Sequence, residues 1–446
     1  MKKSKINLLL AAGLGLALSS CKKFDEINID PTAASEEQVQ VEYFINNSII
    51  SAQQDPHIAE RVFVLYWKTA ARQQLSTGIA GGTYDDGWSS DYYGGGYLSG
   101  WLNHINTAVQ VANNKIASGA AQPYTNNLLQ VARIWRAYLM SEMADNFGPI
   151  PIDAFQGQNP SFASVKDVYY HLLDELKDAS TKLNVSVTNP DAVKKNDPVY
   201  GYDYSKWRRY ANSLRLRLAM RLSEVDASKA KTEFEAAATG ELITDASHTF
   251  QVQERPGWDP LSGVMSREWN AQILSGTLKN LYVGLGGITS QAQLPADLHS
   301  AVKDADWAGV KYDQHFATAT NEPFAPYWLD GLPAKIDPRA YKAFIIPGYF
   351  ANPDFSGYPT YDNTAETPSA NLNNVTGTGT FKTINATYTF NAFTIGDWGA
   401  KGGRNAVRNF PGTMPRLAQR FRGSNEKRIF FANWETYFLL AEAAVK

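Results

Sequence analysis

From Val41 to Gly240 apolar residues recur at helical spacing with few breaks, and at Glu241 that pattern stops. Such a chain is confined to a helical body followed by something of a different kind. Ser35-Glu36-Glu37-Gln38 has the form of a capping box, and Val41, Phe44, Ile45 and Ile49 follow on one helical face. A second apolar segment covers 58–71, and further helices are expected at 101–117 and 126–144. Leu128, Val131, Ile134, Trp135, Tyr138 and Leu139 give the latter a wide apolar stripe. Ser164 to Leu183 reads as a helix with Asp167 three residues after Ser164. Ser205–Ser223 and Ser228–Thr239 follow, the last ending at Gly240, read as a C-cap glycine.

Residues 241–422 are rich in Gly, Pro, Asn and Thr with irregular aromatics. Only short helices are expected there, near Ser266–Leu274 and Asn280–Tyr282, and Thr380–Phe393 alternates weakly like an edge hairpin. That is more loop than a scaffold needs, and long ordered loops usually carry function. Helical character returns at Asn425–Lys446. The organisation read from these patterns is a helical scaffold at 35–240, a loop-rich ligand-binding insertion at 241–422 and a returning scaffold helix at 423–446. The fold class is mostly α with minor β hairpins. No tetratricopeptide consensus recurs at regular spacing, so periodicity supports no more than that.

The N-terminus fixes an address. Lys2, Lys3 and Lys5 precede an apolar run from Ile6 to Leu18, too short to span a bilayer and of signal-peptide form. Leu18-Ser19-Ser20-Cys21 is a lipoprotein cleavage pattern, with residues 1–20 removed, Cys21 lipidated and 21–34 an extended tether. Cys21 is the single cysteine, which excludes a disulfide within the chain and a cysteine metal site. Taking away the three lysines of residues 1–20 leaves 39 of 42 Lys+Arg against 44 Asp+Glu, a net of −5. There is no basic field for nucleic acid, and the membrane is reached through the lipid anchor only.

Catalytic and metal motifs are missing from the sequence. None of the six histidines lies three or four residues from another, and no HExxH or GxSxG occurs. Gly284-Leu285-Gly286-Gly287 lacks the third glycine of a dinucleotide loop, and Gly399–Gly403 lacks the Lys-Ser/Thr of a phosphate loop. No catalytic residue, metal ligand or cofactor is assigned. Arg208, Arg209, Arg215, Arg217 and Arg221 crowd one helix beside an apolar stripe of Leu214, Leu218 and Leu222, and read as a salt-bridged flank. Asp85–Asp86 is a carboxylate pair of the kind a glycosidase uses, though adjacent acids commonly just sit in a turn.

One constellation stands apart. From Tyr84 to Trp101 the chain reads YDDGWSSDYYGGGYLSGW, with Gly87 and Gly94-Gly95-Gly96 arguing against a regular helix. Rings on a glycine-rich loop beside Asp85, Asp86, Asp91, Ser89 and Ser90 combine stacking faces with hydrogen-bonding partners, the pairing sugars require. The same rings would equally pin a loop to helices. Trp88 is assigned to ligand, and Tyr97 and Trp101 to the core. The candidate ligand residues are Asp86, Trp88, Tyr92 and Tyr93 on this segment, Arg72 ahead of it, and Trp307, Tyr327 and Trp328 in the insertion. Aromatics are 12% of the chain, a surplus that favours sugar stacking in an exported protein.

Several segments resemble the SusD/RagB family of Bacteroidetes outer-membrane lipoproteins. They are Asp145-Asn146-Phe147-Gly148-Pro149-Ile150-Pro151, Val168-Tyr169-Tyr170 with Leu176-Lys177-Asp178-Ala179, Lys206-Trp207-Arg208-Arg209-Tyr210-Ala211-Asn212-Ser213-Leu214-Arg215-Leu216-Arg217, Asp337-Pro338-Arg339, and Trp434 to Ala443. The resemblance implies tetratricopeptide-like helix pairs as scaffold and a non-enzymatic protein facing the cell surface. It implies capture of glycans or peptides and their delivery to a SusC-like TonB-dependent transporter. Asn212, Arg215 and Arg217 are implied to orient helices, and the ligand region to be residues 72–101 and the middle insertion. The family continues beyond the Ala-Glu-Ala helix, so the chain is expected to be a fragment. The other function left open is a secreted carbohydrate-active hydrolase using an Asp/Glu pair.

Overall fold

The computed structural model describes residues 39–54, 86–158, 160–253 and 427–446 without a break, with short stretches between them at 71, 74–75, 273–274, 278, 281–282, 296, 310–311, 327–329, 337–345, 369–373, 380–385, 390–391 and 416–418. The described residues are mostly helical. Helix α1 is Val41–Gln54, and Val41, Ile45, Ile49 and Ala52 form its buried face. A continuous helical run then joins α2 (Asp86–Asp91), a wide π-wound segment (Tyr92–Leu102) and α3 (Asn103–Ala117). Next come α4 (Thr125–Phe147), α5 (Val165–Lys182), the single turn α6 (Asp191–Lys194), α7 (Tyr204–Arg221) and α8 (Ala227–Ala238). Neighbours stack in order: α3 on α4, α4 on α5, α5 on α7 and α7 on α8, with α1 against α3. The Ser35 capping box, residues 58–70 of the second apolar segment and Cys21 lie outside the described residues.

Local chemistry explains the boundaries. Ser164 caps α5, its Oγ accepting from the Asp167 backbone N–H at 3.1 Å. Asp203 caps α7 through Ser205 and Lys206, and Asp226 caps α8 through the Lys229 N–H at 3.0 Å. Gly148 ends α4 at φ 82°, a conformation that glycine adopts without steric cost. Gly240 serves differently from the expected C-cap: a Cβ there would stand 2.5 Å from the Asn212 Nδ2. It is glycine because the Asn212 amide crosses it to reach the Glu241 carbonyl at 3.1 Å.

The expected helix 425–446 is two elements. Lys427–Phe431 is a strand, β11, and only Asn433–Val445 is helical, as α10. Ile429-Phe430-Phe431 is β-branched and aromatic, and β11 finds an antiparallel partner in β2 (Phe250–Gln253). The pairing feeds Phe250 and Phe430 into the space between α4 and α7. Phe250 stacks on Trp135 at 5.7 Å and on Tyr210 at 4.0 Å, while Phe430 meets Trp135 and Tyr138 edge-on at 5.3 Å each. Much of the aromatic surplus is therefore core.

Further along the chain are β1 (Gln74–Leu75), β3 (Ile273–Leu274), β4 (Val310–Lys311), β5 (Tyr327–Leu329), helix α9 (Pro338–Ala343), β6 (Phe344–Ile345), β7 (Ser369–Asn373), β8 (Thr380–Asn385), β9 (Phe390–Asn391) and β10 (Arg416–Leu417). They form a sheet ordered β1-β3-β10-β6, a sheet β4-β5-β9 and the hairpin β7-β8. Ile273-Leu274, read as the end of a short helix, is the strand β3, where its apolar pair joins a ladder with β1.

The five arginines of α7 are a salt-bridged flank. Arg208 and Arg209 hold Glu241, Arg215 holds Glu233 of α8, Arg217 holds Glu435 of α10, and Arg221 holds Asp145 of α4. Together they join α7 to four other parts of the chain, and Arg215 and Arg217 bridge α7 to α8 and α10.

Candidate ligand-binding segment

The segment 84–101, expected to be a glycine-rich loop, is helical from Asp86 onward. The reason is its winding. Buried residues of the π segment are Tyr92, Gly96, Tyr97, Trp101 and Leu102, a period near five. In a helix with i→i+5 bonding those residues share a face, and the glycines between them are carried on the wide turns. The three rings then interlock: Tyr92–Tyr97 at 5.2 Å, Tyr92–Trp101 at 5.6 Å and Tyr97–Trp101 at 4.7 Å, all edge-to-face. Such pairs typically add about 0.5–1.5 kcal/mol each beyond their area.

Polar contacts lock the segment to the scaffold. Ser48 of α1 donates to the Trp101 carbonyl at 2.8 Å and accepts from the Trp135 indole N–H at 2.9 Å. Asn146 Nδ2 donates to the Tyr97 hydroxyl at 3.2 Å. Below, Arg428 of β11 donates to the Ala52 carbonyl at 2.8 Å and faces Glu142 at 3.6 Å, and Glu142 accepts from the Tyr138 hydroxyl at 3.2 Å. Ser48, Glu142 and Arg428 were not singled out in the sequence. Their only signal was a polar side chain on an otherwise apolar face.

The structure separates the candidate residues. Tyr92 is 1% exposed and its ring is enclosed by Tyr97, Trp101 and Phe147, which makes it core and not a stacking platform. It faces inward because the π register puts it on the same side as Tyr97 and Trp101. Tyr93, one residue on, is half-buried and meets Phe147 edge-on at 5.2 Å. Asp86 and Trp88 lie on α2, at the head of the run. Tyr327 and Trp328 lie on β5, the middle strand of its sheet, where Trp328 pairs with Val310 and Asn391. Arg72 and Trp307 lie outside the described residues.

The π segment itself carries no formal charge, and the acidic residues Asp86 and Asp91 stand just ahead of it. Burial pushes the Tyr92 and Tyr97 hydroxyls well above the ordinary phenol range and raises Tyr93 as well. These phenols stay protonated at physiological pH; the Tyr97 hydroxyl accepts from Asn146, whereas the buried Tyr93 hydroxyl has no hydrogen-bond partner among the described residues. Two glycines of the π segment have room beside them: a Cβ at Gly94 or Gly95 would meet nothing within 4 Å. Among the described residues no group of three or more His, Cys, Asp or Glu could hold a metal ion, and no helix is long and apolar enough to cross a membrane.

Similar proteins agree with this architecture. A solved SusD homologue from Parabacteroides distasonis superposes with a TM-score of 0.59 at 21% identity, covering 92% of this chain and 68% of its own. A solved chitin-binding protein superposes with a TM-score of 0.57 at 15% identity, covering 91% of this chain and 70% of its own. At such identities the likeness is one of fold. No curated protein matches. The family model described as SusD-like, Susd and RagB outer membrane lipoprotein, matches residues 26–289, more than half of the chain. The chain belongs to the SusD/RagB family of outer-membrane lipoproteins.

Proposed function

We propose that this protein is a surface-facing lipoprotein that captures glycans, or other oligomeric nutrients such as peptides, and hands them to a SusC-like TonB-dependent transporter. The observation that carries the reading is membership of an outer-membrane lipoprotein family together with a lipidation pattern at Cys21. A ligand-binding role is supported by α2, which carries Asp86, Trp88 and Asp91 directly ahead of the half-buried Tyr93. Glycan is the first ligand class to try, since one neighbour of the same fold is a chitin-binding protein. The protein is a binding protein and not a hydrolase in this reading. Scaffold carboxylates such as Glu175, Glu233, Glu241 and Glu435 are held by guanidinium groups, which leaves them poorly placed as general acids.

The test is a glycan and oligopeptide array probed with residues 22–446. Trp88→Ala or Trp328→Ala should weaken the strongest array interaction about ten-fold or more, the scale of a lost stacked ring with its area. The helical circular-dichroism signal should be unchanged. Depolymerisation of an array glycan, abolished by a single Asp or Glu substitution, would replace this reading with the hydrolase. Failure to co-purify with a TonB-dependent transporter from native membranes would remove the delivery step.

A further inference from the structure

The helical run from Asp86 to Ala117 is continuous: Asp91 (φ −61°, ψ −40°) and Asn103 (φ −61°, ψ −46°), on either side of the π segment, both have α-helical backbone. The axial rotation of α2 about this run is therefore set by the winding of the eleven residues between them. Those residues hold a numerical surplus. The interlocked rings stand at Tyr92, Tyr97 and Trp101, which are offsets of zero, five and nine. An α-helix places offsets of zero, three and seven on one face. Two residues fewer between Tyr92 and Tyr97 would give that α-helical spacing with the same rings on the core. Between them lie Tyr93, Gly94, Gly95 and Gly96; Gly96 is buried, whereas Gly94 and Gly95 face open space.

We propose that Gly94 and Gly95 are positioning residues whose presence as two surplus positions winds the run to π and thereby fixes the direction in which α2, with Asp86 and Trp88, leaves the scaffold. The proposal rests on the reading that α2 carries ligand contacts. Wide i→i+5 turns are uncommon and occur frequently at functional sites, since they re-aim what precedes them. Gly100 fits the same account. A Cβ there would stand 2.9 Å from the Gly95 carbonyl, the residue five before it, which marks where the wide turn closes. Ser99 adds a bond from its Oγ to the Gly94 carbonyl at 2.7 Å, holding the outer edge of that turn. Residue count, and not glycine chemistry at 94 and 95, sets the winding.

The experiment compares two variants of the full chain in a Cys21→Ser background. Spin labels are attached at Ser90→Cys on α2 and Lys177→Cys on α5, both exposed positions. Deleting Gly94 and Gly95 should leave the protein folded, with its helix content intact, and should shift the label-to-label distance by several ångströms. Gly94→Ala with Gly95→Ala keeps the count and meets no neighbour, so the distance should stay where it is. On the array, the deletion should lower the strongest signal about ten-fold or more, and the double alanine should not. A deletion variant that unfolds, or that folds with an unchanged distance, would overturn the register argument, and so would a distance shift in the double alanine. Loss of the ligand reading shows separately, as array binding that Trp88→Ala leaves untouched while the distance still shifts.

Discussion

Replacing Arg217 tests how α10 is held to the body. The Arg217 guanidinium donates to both oxygens of Glu435, at 2.5 and 2.7 Å, and to the Phe430 carbonyl at 2.7 Å. It also lies over the Phe431 ring, 4.6 Å from its centroid. One side chain thus ties α7 to β11 and α10 together. Arg217→Met keeps an unbranched stem and removes every one of these contacts. Breaking a fully buried ion pair from one side costs about 3–5 kcal/mol. Here the Glu435 side chain is 31% exposed and regains water on losing its partner, which argues for the lower part of that range. The Phe430 carbonyl loses a charged donor, worth about 1.5–3 kcal/mol as a bond. We expect a loss of about 2–4 kcal/mol, felt locally first because α10 is packed chiefly on α7. Hydrogen exchange of residues 433–445 is the assay, since a chain of this size need not unfold in one step. Glu435→Gln and the double variant complete a cycle, and the double should be little worse than Arg217→Met alone. Protection of α10 unchanged to within about 0.5 kcal/mol in Arg217→Met, or fully additive losses, would refute the clamp.

Acid should loosen the α4–α5 contact. Burial pushes the Glu175 carboxyl up, but Arg133 and Arg136 together hold it below the usual carboxylate range. The stability it contributes is present above the unfolded-state pKa, about 4.3, and is lost as pH falls through the lower folded value. Glu175→Gln should therefore be less stable than the parent at pH 7 and converge with it in acid, read by urea unfolding across that range. Gly240→Ala should cost about 1–3 kcal/mol by displacing Asn212 from the Glu241 carbonyl, whereas Gly94→Ala should cost nothing or stabilise, as thermal melts of the two will show. Cys21→Ala should move the protein from the membrane fraction to the soluble one, and retention at the membrane would contradict lipidation there.

What the sequence determined by itself was whatever depends on neighbours along the chain. The faces of α1, α4, α5, α7 and α8 followed from apolar spacing, and the Ser164 cap from a hydroxyl placed three residues before Asp167. The family was legible because runs such as Trp207 to Arg217 are dense with residues that have one structural duty each, as the five arginine pairings show. Tertiary structure decided the rest. Lys427–Phe431 is a strand because β2, far away in sequence, offers it a ladder, and no local pattern announces that partner. Gly240 is a point of close approach and not a cap, because Asn212 on another helix needs the room. Tyr92 and Tyr93 are adjacent and chemically identical, yet one is core and the other half-buried. That choice is made by the π winding, which sets the register of the rings against α1 and α4. Winding is a property of how many residues the packed helix must accommodate between fixed contacts, and those contacts exist only once the scaffold has assembled.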